Sequence, residues 1–122
     1  MTIRECYETV GGDYAEVMGR LRTEERVLRF LKMVADDPSF SQLTEAVEAG
    51  NAEEAFRAAH TLKGVCMNLS LTRLAASSRV LTEALRDKKV LDDNIVALFN
   101  AVRADYVQTK SAIQTCLAAC AP

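Results

Sequence analysis

Apolar positions recur at helical spacing along most of the chain, and no run combines strict alternation with β-branched enrichment. The pattern predicts an all-α protein. Residues Thr2 to Val10 read as a short helix stopped by Gly11 and Gly12, and Asp13 is placed to cap a second segment, Asp13 to Leu21. Thr23 precedes EERVLRFLKMVADD, in which Val27, Leu28, Leu31, Val34 and Ala35 make a stripe and the acidic residues favour the first turn. Pro38 breaks that run. Ser39 or Ser41 is the expected cap of SQLTEAVEAG, with Gly50 as its stop and Asn51 as the next cap.

A helix from about Ala52 to Leu69 follows, AEEAFRAAHTLKGVCMNL. Ser70 or Thr72 then starts TRLAASSRVLTEALRDKK, which sends Leu74, Val80, Leu81 and Leu85 toward a core and ends in positive charge. The short turn makes these two helices antiparallel neighbours. The last helix, from about Asp92, carries Ile95, Leu98, Phe99, Val102, Tyr106, Ile113 and Leu117. Together the segments predict an antiparallel four-helix bundle with one or two additional short N-terminal helices. Residues 1–122 read as one domain, with 1–22 as an N-terminal helical extension and 23–119 as the bundle.

With 122 residues, 49% of them hydrophobic, the chain has material for one core without obligatory metal or disulfides. A net charge of −2 gives no bulk attraction for nucleic acid or an acidic membrane. No segment reads as a membrane span or a secretory leader, so the expected location is the cytoplasm. Cys6, Cys66, Cys116 and Cys120 lack the spacing of an extracellular disulfide scaffold and read as structural thiols. A zinc site would require Cys116 and Cys120 to converge with Cys6, Cys66 or His60, and the expectation is no metal.

The single histidine is testable against helical geometry. At about 100° per residue, Ala55, Ala59, Leu62, Cys66 and Leu69 share one face, which should meet the core. His60 projects roughly 140° from the centre of that stripe, near Phe56, Lys63, Gly64 and Met67. It should be at least partly exposed, with Lys63 one turn later able to set positive charge beside an anion on the ring. Gly64 in a helix interior costs about 1 kcal/mol relative to Ala, and the neighbouring alanines make a steric role plausible. From periodicity alone, a surface histidine and a glycine packed against another helix remain the simpler reading. A neutral imidazole nitrogen is nucleophilic near neutral pH and can accept a phosphoryl group, but the chain carries no apparatus to activate that phosphate.

The run AHTLKGVCMNLSLTRLAASSRVLTEALR resembles the histidine-containing phosphotransfer (HPt) domain of multistep bacterial phosphorelays. That family's pattern is a His, an apolar residue, Lys and Gly, then a short turn and a second amphipathic helix. Here it falls on His60, Thr61, Leu62, Lys63, Gly64, Asn68, Leu69, Leu74 and Leu81. The resemblance implies that His60 accepts phosphate from an aspartyl phosphate of a response regulator receiver domain and passes it to another receiver. Lys63 would assist electrostatically and Gly64 would give access. Hybrid histidine kinases are implied as further partners, and Mg²⁺ is expected in the receiver, with no cofactor intrinsic to this chain.

Phe56, Arg57 and Met67 are candidate partner contacts beside Lys63 and Gly64, though Met67 is as well suited to completing the bundle and Phe56 better suited to the core. Met67 and Ser70 replace the small, glycine-like residues common in the family, which predicts a bulkier surface beyond Gly64. A phosphocarrier needs no ATP site, and no Walker or kinase glycine loop is present. A monomer suffices for this chemistry. The alternative is an HPt-like interaction module that binds without taking phosphate.

Overall fold

The computed structural model describes residues 1–120, the side chain of Cys120 excepted. Among them are seven helices: α1 (Ile3–Val10), α2 (Tyr14–Leu21), α3 (Glu24–Ala35), α4 (Ser39–Glu48), α5 (Ala52–Asn68), α6 (Thr72–Leu85) and α7 (Asp93–Cys120). The fold is all-α, and α1 and α2 are the two short additional helices ahead of the bundle. Five of the helix starts use side-chain caps, among them that of α7, where Asp92 Oδ1 accepts from the Ile95 N–H at 2.9 Å. Thr2, Asp13, Thr23 and Asn51 each accept a hydrogen bond from the backbone N–H three residues on, and Thr2 with Glu5 forms a reciprocal capping box.

The remaining starts differ from expectation. Neither Ser39 nor Ser41 caps α4: Ser39 is its first residue, and its backbone N–H donates to Asp37 Oδ1 at 2.8 Å. The acidic side chain two residues earlier satisfies the orphan donor. Neither Ser70 nor Thr72 caps α6, which begins after Leu71 without a side-chain hydrogen bond. That helix also stops at Leu85, before the basic run, and its last turn holds no basic residue.

Successive helices α4, α5, α6 and α7 pack as neighbours, and α3 lies on α7. The α4 and α7 sides meet where Phe40 stacks on Phe99 and on Tyr106, ring centroids 6.1 and 4.0 Å apart. The α5 face is small, with Ala52, Ala55, Ala58 and Ala59 buried beside Leu62 and Cys66, so both neighbours can approach its backbone. On α6 the buried positions are Leu74, Ser78, Leu81, Thr82 and Leu85. Val80, expected in the core, is 49% exposed. Ser78 and Thr82 take the inward positions, and the Thr82 hydroxyl donates back to the Ser78 carbonyl at 2.6 Å.

The N-terminal helices are stitched to the end of α5. Ile3, Cys6, Tyr7 and Val10 of α1 are buried, and the Tyr7 hydroxyl donates to the Leu69 carbonyl at 2.7 Å. Gly12 sits where a Cβ would lie 2.7 Å from the Tyr7 ring and 2.9 Å from the Ser70 carbonyl, so the close approach excludes a side chain. The Asp13 N–H donates to that same carbonyl at 2.9 Å. From α2, Arg20 donates to the carbonyls of Met67 and Asn68 at 3.0 and 2.6 Å, satisfying acceptors that α5 leaves at its C-terminus.

Ser70 explains its own departure from glycine. Its φ is +53°, a left-handed conformation that costs a residue with a side chain roughly 1–2 kcal/mol. Its hydroxyl donates to Glu16 Oε1 at 2.6 Å and accepts from Arg20 at 3.3 Å, and the residue is 3% exposed. It therefore adds no bulk to the surface beyond Gly64, contrary to expectation. Ser70→Ala keeps the strain and loses both bonds, so it should cost about 1–3 kcal/mol in chemical denaturation, whereas Ser70→Gly should stay within about 1 kcal/mol of the parent. Equal stability of the two variants would mean that the strain is negligible.

Candidate functional site

The α5 stripe lies as its spacing predicts. Ala55, Ala59 and Cys66 are fully buried, Leu62 and Leu69 nearly so, and His60 on the other side of the helix is exposed. No group among the described residues hydrogen-bonds the His60 ring. Its one ring contact is Phe56, a turn earlier, with centroids 6.1 Å apart and planes 14° from parallel. Phe56 is half-buried, packed against the core and still in part open to solvent. Arg86, which caps the C-terminus of α6, lies over the Phe56 ring, its guanidinium carbon 5.3 Å from the centroid.

Lys63 is half-buried one turn after His60. Across from it on α6 stands Glu83, whose carboxyl is held below its ordinary value by the hydrogen bond and charge of Arg86, with Lys63 and Arg79 adding. The edge of α6 facing the histidine side thus carries Arg79 and Glu83, with Arg86 at the cap just beyond its last residue. These residues were missed from sequence. Their i, i+4, i+7 charge pattern is visible there, but which helix it faces is not.

Gly64 settles a choice that periodicity left open. A Cβ built on it meets no atom within 4 Å outside its own helix turn and chain neighbours. It is not packed against another helix, and the space one turn beyond His60 opens outward. Met67, two turns on, is 54% exposed and does not complete the bundle. Arg57 is engaged elsewhere: its guanidinium is 2.6 Å from Glu54 and 3.4 Å from Glu53, on the flank beside α4. Phe30 and Met33 of α3, which the sequence reading passed over, are 38% and 59% exposed. With Val34, Val65 and Leu69 they line an apolar groove of about 440 Å³ between α2, α3 and α5.

The cysteines belong to the core. Cys6, Cys66 and Cys116 are fully buried, and burial pushes the Cys66 thiol up to about 12, keeping it protonated at neutral pH. Burial raises Cys6 as well, partly offset by its hydrogen bond with Cys116. Among the described residues no group of three or more His, Cys, Asp or Glu is arranged to hold a metal ion. The Cys120 side chain lies outside the described residues, and with it the Cys116–Cys120 pairing. No helix of the described residues is long and apolar enough to cross a membrane.

The site thus brings together an exposed imidazole beside an aromatic ring, a lysine one turn later and clear space at Gly64. Neither a curated protein nor a solved structure matches the chain. A family model described as "Hpt domain" matches residues 27–119.

Proposed function

The chain belongs to the Hpt domain family, whose members work in two-component phosphorelays, and from that premise we propose that His60 is the phosphoacceptor of a carrier between receiver aspartates. The observation that supports this most is the open space at Gly64. A helix-interior glycine costs about 1 kcal/mol against alanine, and no close contact among the described residues demands it. The demand then comes from outside, where a docking partner must bring its own backbone close to His60.

In the reaction, a neutral imidazole nitrogen of His60 attacks the phosphorus of a receiver's aspartyl phosphate. The N–P bond forms as the P–O bond to the carboxyl breaks, and the carboxylate departs on the receiver. Transfer onward is the reverse step at the aspartate of a second receiver. Lys63 lies close enough in sequence and on the helix to offset the phosphoryl charge, an effect moderated by solvent at this half-exposed position. Mg²⁺ belongs to the receiver's aspartate pocket and supplies charge neutralisation there.

Partner contact falls to the apolar and basic surface around the ring: Phe56, Lys63, Gly64 and Met67, with Arg57 at the edge once it exchanges its acidic neighbours. The upstream donor on this reading is a hybrid histidine kinase, acting in the cytoplasm on a monomeric carrier. The purified chain, incubated with a phosphorylated receiver domain from the same genome, should gain one acid-labile phosphate by intact mass while the receiver loses it. Receivers that bind the folded chain yet never transfer to it would leave a non-phosphorylated interaction module instead.

A further inference from the structure

We propose that Phe56 is a positioning residue for the His60 imidazole, held in place from the neighbouring helix by Arg86 and Glu83. The inference rests on the phosphoacceptor reading and adds to it the means by which an exposed ring is kept ready. Reactive histidines are commonly oriented by a hydrogen bond to the second ring nitrogen. Here no group among the described residues makes one. An exposed histidine without such a bond samples several rotamers, and Phe56 is the one ring that meets it.

The geometry suits the task. With planes 14° from parallel and centroids 6.1 Å apart, the imidazole lies alongside the Phe56 ring in an offset stack, and the one free lone pair of the neutral imidazole lies in the plane of its own ring. Phe56 is itself constrained, half-buried against the core. Arg86 covers it with the guanidinium carbon 5.3 Å from the centroid. Glu83 in turn receives two hydrogen bonds from Arg86, from Nη2 at 3.0 Å and Nε at 3.2 Å. The constraint therefore runs from Glu83 through Arg86 and Phe56 to His60, and it crosses from α6 to α5. A stack of this kind biases ring orientation by about three- to tenfold.

The test uses phosphoramidate, a small donor that needs no docking surface. A His60 nitrogen attacks its phosphorus, the N–P bond to the ring forms, and the original P–N bond breaks with protonation to release ammonia. Phe56→Leu should slow labelling of His60 by about three- to tenfold, Phe56→Tyr should restore it, and Arg86→Gln should slow it by a smaller factor. Proton NMR gives the second readout. The His60 ring signals should carry a ring-current contribution from residue 56 in the parent and in Phe56→Tyr and lose it in Phe56→Leu. Unchanged labelling in Phe56→Leu, or equal loss in Phe56→Tyr, would overturn the proposal, as would a His60 ring signal indifferent to residue 56. Failure of the parent itself to take phosphate at His60 would remove the phosphoacceptor reading, whereas the NMR comparison would still judge the stack.

Discussion

Replacing His60 by glutamine is expected to abolish acceptance of phosphate and leave the bundle intact. The side chain is exposed, makes no hydrogen bond among the described residues, and touches one ring. Glutamine is a good helix former, so the change in stability should stay within about 0.5 kcal/mol. Its amide nitrogen has no available lone pair for attack on phosphorus. Intact mass after exposure to a phosphorylated receiver should therefore show none of the phosphate that the parent takes up, with the circular dichroism spectra superimposable. Residual acid-labile phosphate on His60→Gln would place the acceptor at another residue. This histidine is the only one in the chain, so the bond chemistry would then have to change as well.

Gly64→Ala is expected to separate folding from function in opposite directions. The new methyl meets no atom of another helix among the described residues, and the helix loses its most flexible interior residue. Stability should rise by up to about 1 kcal/mol, which for a domain of this size moves the thermal midpoint upward by roughly 3–5 °C. Transfer from a receiver should fall by about ten- to hundredfold, because a displacement of about 1 Å at the reacting atoms costs that much. A larger side chain, Gly64→Gln, should lose more. Receiver titrations under single-turnover conditions separate weaker docking from a slower step. A stabilised variant that transfers at the parent rate would show that the open space serves no partner.

What the sequence disclosed follows the range of the physics. Caps at Thr2, Asp13, Thr23 and Asn51 are bonds across three residues, and local spacing suffices to find them. The exposure of His60 was legible because five apolar residues on one helix define its opposite face. Val80 misled because an apolar residue on the outer face of α6 competes in pattern with Ser78 and Thr82, polar residues small enough to be buried. Arg79, Glu83 and Arg86 escaped notice for a different reason. Their relation to Lys63 and Phe56 is a register between two helices, and no periodicity within either helix encodes it. The opening at Gly64 lay between these cases: the residue stood out, but only the surroundings of its missing Cβ distinguish close packing from clearance.

The contact between α2 and the end of α5 bears on inheritance. Residues 1–22 fall outside the matched family segment, yet Glu16 and Arg20 hold the hydroxyl of Ser70 inside it. Those three positions are one heritable unit. A lineage that mutates Ser70 to glycine releases Glu16 from its bond across to that turn and leaves the carbonyls of Met67 and Asn68 as Arg20's hold on it, so the extension becomes freer to drift or to be replaced. A lineage that loses the extension first must find another residue for position 70. The order of those two events decides whether the phosphorelay module can be cut from its N-terminal helices and joined to a different neighbour.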